Sequence, residues 1–174
     1  MSAIAVQTNT AHAATSFQLT VRNSTAQQPI TPPVVVVHDA NTVLLPSAAE
    51  RLPGLEAFAE SGAQPDLIES FLERTGVKSV KRFGGIIEPG GSATILNVNA
   101  EPGDHVSVVG MLACTNDAIA VGSIAVTESG APAFGSGIVL DAGTEENDET
   151  RATVPCLDGE CVSDGDTHDG EGTL

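Results

Sequence analysis

Hydrophobic and polar positions follow strand-like patterns along most of the chain. Apolar and polar residues alternate from Ser16 to Arg22, which predicts a half-buried strand. The run from Val34 to Val37 is continuously apolar, so we expect this strand to be buried on both faces. Short strand-like runs, separated by turns that contain Gly and Pro, continue through the second half of the chain; they cover residues 77–87, 93–98, 105–113, 120–126 and 138–140.

The segment between residues 46 and 76 has a helical pattern instead. Residues 53–62 predict a short helix that ends at a glycine, and residues 65–74 predict a second helix with its apolar side chains on one face. A series of strands interrupted by two short helices indicates the fold class. We expect a mainly all-β protein, an antiparallel sandwich or barrel with a short two-helix insertion.

Length and composition indicate one folded domain. Aromatic residues make up only 3% of the 174 residues, so the core must consist of Val, Ile, Leu and Ala. We divide the chain into a leader at residues 1–15, a folded domain at 16–155 and an acidic flexible tail at 156–174. Residues 11–13 have the small-x-small form of a signal-peptidase site, but no basic residue precedes Arg22. The leader is therefore either the remnant of a signal peptide or a disordered polar segment.

The charge is strongly negative and concentrated towards the C-terminus. The formal net charge is −16, from 23 acidic and 7 basic residues. Residues 141–174 hold eleven acidic residues and one basic residue, Arg151, which gives this segment a net charge of −10. A chain this acidic is repelled by nucleic acid and by anionic lipid, and no segment approaches the length of a transmembrane helix. We expect no nucleic-acid partner and no transmembrane segment, which leaves cation binding or simple solubility in a salty medium.

The acidic stretch from Asp141 to Glu149 is the first candidate site. It places five acidic side chains and an Asn within nine residues, directly after the apolar run at 138–140. Clustered carboxylates repel one another unless they are solvated, protonated or bridged by a cation, and oxygen ligands along a short loop suit Ca²⁺. The stretch is therefore either half of a calcium site or a solvated acidic loop.

Three cysteines occur, at positions 114, 156 and 161. Cys156 and Cys161 enclose a short turn that a disulfide can close, which would indicate an oxidising compartment; two free thiols are the alternative. A zinc site would need two more soft ligands, and these are absent nearby. Cys114 lies in an apolar run, so we expect it to be a small buried hydrophobe.

Four segments, taken in order, resemble the spondin N-terminal domain family. The helix predicted at residues 53–62 is similar to the family's Gly-Leu-x-x-Phe-Ala-Glu-x-Gly helix. The segment Asp141-Ala142-Gly143-Thr144-Glu145 is similar to the family's Asp-Ala-Gly-Thr-Asp. The other two segments are apolar strands that lead into polar turns, at residues 33–39 and 111–117. The resemblance covers residues 17 to about 150.

The resemblance implies a secreted, non-enzymatic C2-like β-sandwich that holds one Ca²⁺ at one end. The carboxylate ligands would be Asp117, Asp141 and Glu145, with the backbone carbonyl of Asp148 as a further ligand. Such a module acts in adhesion or binding at a cell surface or in an extracellular matrix, with a glycan, a protein or another surface ligand as its partner. Glu145 replaces a family Asp, and Thr115-Asn116 replaces Ser-Pro, which is expected to loosen the turn before Asp117.

Two other functions remain open from the sequence. Asp117 and Asp141, together with His38 or His105, could hold a divalent ion with an open coordination position, as in a metal-assisted hydrolase. No Gly-x-Ser-x-Gly, HExxH or Cys-x-x-Cys motif accompanies these residues, so we expect no enzyme. The acidic, strand-rich composition also fits a self-assembling surface-layer subunit.

Overall fold

The computed structural model describes residues 15–45, 52–127, 132–148, 150 and 153–154. The predicted leader before residue 15, the predicted tail and the Cys156–Cys161 pair lie outside the described residues. The predictions for those segments therefore stay predictions. Among the described helices, none is long and apolar enough to cross a membrane.

Seven strands and two helices form within these ranges, and they confirm the mainly β fold predicted from the sequence. The elements in chain order are β1 (Thr15–Arg22), β2 (Val34–Asp39), α1 (Leu55–Ser61), α2 (Pro65–Glu73), β3 (Val77–Arg82), β4 (Ser92–Ala100), β5 (Asp104–Met111), β6 (Ala118–Ala125) and β7 (Gly137–Asp141). β1 and β4 form a two-stranded sheet, and the other strands form a five-stranded sheet in the order β3-β2-β5-β6-β7. Every paired strand is antiparallel to its neighbour, and the two helices form the predicted insertion.

β2 lies in the middle of the fold because both of its faces are buried. Val34 and Val36 belong to the core beneath the helices, whereas Val35 and Val37 belong to the core beneath the β1–β4 sheet. The helix-side core also contains Leu55, Phe58, Leu67, Phe71, Val109 and Ile119. The core on the other face also contains Ile95, Val98, Ala100 and Val106. This three-layer packing explains why the valine run is continuous and not alternating.

Two glycines set the position of α1. Gly54 before the helix and Gly62 after it both have left-handed backbone, with φ of 78° and 72°, which favours glycine. A Cβ on Gly54 would lie 2.3 Å from the backbone nitrogen of Leu67, so the missing side chain lets α1 begin directly against α2. α1 also lies against β5 and β6. The helix is therefore held beside the turn that joins those two strands.

Strand register brings that turn beside the loop that follows β7. Ala118, the first residue of β6, pairs with Asp141, the last residue of β7. The backbone carbonyl of Asp117 also accepts a hydrogen bond from the N–H of Ala142, at 3.2 Å. The turn at residues 112–117 and the loop at residues 142–148 consequently meet at one end of the five-stranded sheet.

A network of ion pairs that includes the buried Asp104 lies at the opposite end of this sheet. Asp104 is 3% exposed, and its Oδ1 lies 2.6 Å from the Nζ of Lys78. Its Oδ2 accepts a hydrogen bond from the backbone N–H of Glu101, at 2.9 Å. The hydrogen bond to Asp104 raises the pKa of Lys78 above its usual value. Lys78 thus compensates a carboxylate that would otherwise be buried without a cation.

Lys78→Met is expected to lower the free energy of unfolding by roughly 1–2 kcal/mol, because it leaves Asp104 buried without a cation. The loss is smaller than for a fully buried pair because the Lys78 side chain is 39% exposed. Urea denaturation followed by circular dichroism measures it. Lys81→Met is the matched control, since Lys81 lies in the same strand and has no ion pair among the described residues. Equal losses of unfolding free energy in the two variants would contradict the role of Lys78 in compensating the charge of Asp104.

Candidate metal centre

Asp117 lies at the centre of the two loops that meet at this end of the sheet. It is 1% exposed. Its Oδ2 accepts hydrogen bonds from the backbone N–H of Thr144 at 2.6 Å, the hydroxyl of Thr144 at 3.2 Å and the backbone N–H of Glu145 at 3.1 Å. These three bonds tie the turn at residues 112–117 to the loop after β7.

Asp141 shapes the loop that carries Thr144 and Glu145. Its Oδ1 accepts a hydrogen bond from the N–H of Gly143 at 2.8 Å, and its Oδ2 accepts one from Nδ2 of Asn147 at 2.7 Å. Gly143 has a φ of 64°, a left-handed conformation that glycine adopts without strain. The resulting turn directs the next two backbone amides towards Asp117. Because the Asp141 side chain is exposed, it lies at the rim of the acidic cluster formed with Asp117 and Glu145.

Glu145 extends inward from the same loop. It is 1% exposed, and its Oε2 has no hydrogen-bond partner. The side chain of Asn116 forms a hydrogen bond with the Glu145 carboxyl. Asn116 also donates through Nδ2 to the carbonyl of Glu146 at 3.1 Å and to Oδ1 of Asp148 at 3.2 Å. A single buried amide therefore links the β5–β6 turn to most of the acidic loop.

The turn before Asp117 is not loosened by the loss of a proline. Thr115 donates its hydroxyl hydrogen to the carbonyl of Leu112 at 2.8 Å and accepts a hydrogen bond from the N–H of Ala118 at 3.1 Å. Together with the bonds of Asn116, these contacts hold the turn closed. Cys114 lies in this turn as a half-buried free thiol, more exposed than predicted because β5 ends at Met111.

A fourth carboxylate reaches the cluster from α1. Glu60 is 4% exposed, and neither of its carboxylate oxygens has a hydrogen-bond partner. It interacts electrostatically with both Asp117 and Glu145. Sequence reasoning did not select Glu60, since it follows the buried residue Ala59 without belonging to a clear apolar stripe. The only available signal was the fixed Glu of the family's helix motif.

Burial and mutual repulsion raise the pKa values of these acids. Desolvation is the main cause for Glu60, whose pKa is raised to about 7; Glu56 and Asp117 add to the shift, and the dipole of the nearby Thr144 hydroxyl opposes it. The pKa of Glu145 is also raised to about 7, by desolvation first and then by Glu60, Asp117 and Asp148. Desolvation likewise raises the pKa of Asp117, against the lowering effect of the two backbone amides. No cation is among the described groups that shift the pKa values of Glu60, Asp117 and Glu145, so their negative charges are not compensated.

The donor set fits a hard cation, although the side chains do not yet surround one. Within the described ranges, no three His, Cys, Asp or Glu side chains are grouped so that they could hold a metal ion as they stand. Carboxylates repel one another when no cation lies between them, and Asp117 is turned towards backbone amides. The buried oxygens without partners belong to Glu60 and Glu145, and anionic oxygen is the ligand type that Ca²⁺ prefers. Binding would require these side chains to rotate towards a common centre.

The side chain of Asp148 closes the next turn of the chain. Its carboxylate accepts hydrogen bonds from the hydroxyl of Thr153 at 2.5 Å and from the backbone N–H of Thr150 at 3.1 Å. These bonds lower its pKa to about 2. The role predicted for Asp148 concerns its backbone carbonyl, so it stays a prediction.

The two histidines considered for a hydrolase lie far from the carboxylates. His38 and His105 are paired between β2 and β5, with ring centroids 5.8 Å apart, and Nε2 of His38 lies 2.8 Å from the Ser107 hydroxyl. His105 is near the start of β5, whereas Asp117 follows its end. The strand from His105 to Met111 spans roughly 20 Å at the usual rise per residue. Neither histidine is therefore brought to Asp117 and Asp141.

An open apolar groove lies on the opposite face of the five-stranded sheet from α1. It has a volume of about 600 Å³ and is lined by β1, β6, β7 and residues 132–136. Its lining includes no Asp, Glu or His residue. The groove and the acidic cluster are therefore separate features.

Comparison of the chain with models of protein families, with curated proteins and with solved structures found no match. The resemblance to the spondin N-terminal domain thus depends on the four sequence segments alone. Any function must be argued from those segments and from the geometry of the acidic cluster.

Proposed function

We propose that this protein is a non-enzymatic, calcium-binding β-sandwich module of the spondin N-terminal type. The observation that carries the proposal is the buried Glu145, whose Oε2 lacks any partner while it interacts electrostatically with Asp117, which in turn interacts with Asp141. A buried carboxylate oxygen without a hydrogen bond or a cation is costly, and a divalent cation at this place would remove the cost.

Asp117, Asp141 and Glu145 would hold the cation, with the carbonyl of Asp148 as a further oxygen ligand. The hydrogen bonds already made by Asp117 and Asp141 do not prevent this, since each carboxylate offers about four lone-pair sites. The ligands come from the β5–β6 turn and from the loop after β7. Bound Ca²⁺ would neutralise the clustered charge and hold these two loops together.

The role of the cation is structural, and the module works outside the cell. By fixing two neighbouring loops, Ca²⁺ would preorganise a surface for a glycan, a protein or another surface ligand in adhesion or matrix assembly. Extracellular calcium modules function with dissociation constants of roughly 10⁻⁴–10⁻³ M, which a partly exposed site with a rim ligand such as Asp141 suits.

Calcium at about ten times its dissociation constant is expected to raise the melting temperature by roughly 3–6 °C, because it binds only the folded state. Asp141→Asn is expected to remove most of this rise, since it takes one negative charge from the site. Glu146→Gln is the matched control, because Glu146 is an exposed acid of the same loop. Thermal unfolding with Ca²⁺ and with chelator gives the melting temperatures of the unchanged full chain and of the two variants.

A melting temperature that responds to neither Ca²⁺ nor chelator would overturn the proposal. An equal loss of the calcium response in Asp141→Asn and Glu146→Gln would also overturn it, because the response would then reflect general screening of negative charge.

A further inference from the structure

Glu60 is the carboxylate in the cluster with the least compensation. It is 4% exposed, and both of its oxygens are buried without hydrogen-bond partners. It comes from a third element, α1, whereas the three proposed ligands come from the β5–β6 turn and the loop after β7. The charged groups that interact with it in the described part of the chain are all acids, namely Glu56, Asp117 and Glu145.

No described cation compensates Glu60. The ion pairs among the described residues all involve Lys78, at the other end of the five-stranded sheet. Packing alone does not require a carboxylate here, because the neighbouring core of α1 consists of Leu55, Phe58 and Ala59. A buried acid with two unused oxygens, in electrostatic interaction with two other acids, is the arrangement expected of a cation ligand.

We propose that Glu60 is a direct ligand of the cation, so that the ion joins α1 to the two loops. This inference rests on the proposed function and adds a residue and an element to it. Ca²⁺ takes six to eight oxygen ligands in flexible geometry and accepts glutamate through one or both oxygens. The free oxygens of Glu60 and Glu145 are therefore available to complete the shell that Asp117 and Asp141 would begin.

The cation then has a wider structural effect than the fixing of loops. α1 is only seven residues long and is anchored at both ends by glycines in left-handed conformation. Holding Glu60 fixes the last turn of this helix against β5 and β6, which α1 already contacts. Calcium binding consequently orders the helical insertion together with the acidic loop.

The opposing explanation is that Glu60 stays protonated and shares a hydrogen with a neighbouring acid. In that case Glu60→Gln would leave calcium affinity unchanged, since an amide replaces a neutral carboxyl of the same shape. If Glu60 is a ligand, the same variant removes a charged donor and raises the dissociation constant for Ca²⁺ by about tenfold or more.

Isothermal titration of Ca²⁺ into the full chain tests the inference at about pH 7.5, with Glu60→Gln, Glu56→Gln and the unchanged protein. Glu56 is an exposed acid one turn earlier in the same helix, so Glu56→Gln controls for long-range charge. Glu60→Gln is expected to fold, because it removes an uncompensated buried charge. Its melting temperature in chelator should equal or exceed that of the unchanged protein.

Hydrogen exchange of the unchanged protein gives a second test that needs no variant. Amides of α1 and of residues 142–148 are both expected to exchange more slowly with Ca²⁺. Slower exchange in the loop alone would overturn the role of Glu60.

The outcomes separate the two proposals. Calcium binding by the unchanged protein, with equal affinity in Glu60→Gln, overturns the role of Glu60 and leaves the proposed function standing. Absence of calcium binding by the unchanged protein overturns both. A loss of affinity of about tenfold in Glu60→Gln, with Glu56→Gln near the unchanged value, supports both.

Discussion

Acidifying the calcium-free protein from about pH 7.5 to about pH 5 is expected to raise its free energy of unfolding by roughly 2–4 kcal/mol. Glu60 and Glu145 both have pKa values raised from 4.5 to about 7 in the folded state. Between these two values the folded state binds more protons than the unfolded state, so stability falls as pH rises and levels off above about 7. We treat the two acids together because the charge of Glu60 is one cause of the raised pKa of Glu145.

Urea denaturation in chelator at several pH values measures this dependence. Glu60→Gln combined with Glu145→Gln is the matched control, and it should flatten the profile across this window. The lowered pKa of Asp148 does not affect stability between pH 5 and pH 7.5. A carboxyl whose pKa is lowered to about 2 on folding contributes stability that is lost only at lower pH. A stability that is flat or that increases from pH 5 to 7.5 in the unchanged protein would show that these acids are solvated.

Asp117→Ala is expected to lower the free energy of unfolding of the calcium-free protein by roughly 2–3 kcal/mol, or about 5–10 °C in melting temperature. The change removes the acceptor of three hydrogen bonds and leaves the buried N–H groups of Thr144 and Glu145 without partners. Relief of the desolvated charge offsets part of this loss. Thermal unfolding in chelator measures the net effect.

Asp117→Asn separates the structural role of Asp117 from its role towards a cation. The amide keeps an oxygen acceptor, so the calcium-free variant should melt close to the unchanged protein. Its calcium-induced rise in melting temperature should nevertheless disappear, because the negative charge is gone. Equal destabilisation by Ala and Asn in chelator would contradict the hydrogen-bonding role that the structure assigns to Oδ2.

Local patterns predicted most of the fold because burial here follows the chain closely. The valine run at residues 34–37 indicated a strand buried on both faces, and β2 has that environment. The glycine after residue 61 predicted where the first helix ends. β5 ended earlier than its apolar run because the side chain of Thr115 closes a turn there. That contact depends on a side-chain hydrogen bond, which hydropathy does not record.

The candidate site was only partly predictable, because its residues come together through long-range pairing. The family-like segments identified Asp117, Asp141 and Glu145, and the register of β6 and β7 does bring their loops together. Glu60 was missed because α1 packs against β5 and β6, which lie far along the chain from it. Asn116 was misjudged for a similar reason: its side chain bridges to Glu146 and Asp148, which lie 30 and 32 residues further along the chain.

The central claim is that the carboxylates at this end of the sandwich hold a calcium ion. A high-resolution crystal structure of the full chain, grown in Ca²⁺, tests it most directly. We predict one strong density peak between Asp117, Asp141, Glu145 and Glu60, with carboxylate oxygens about 2.3–2.6 Å from it. A structure without such a peak, in which Glu60 and Glu145 are hydrogen-bonded to each other or to water, would contradict the claim.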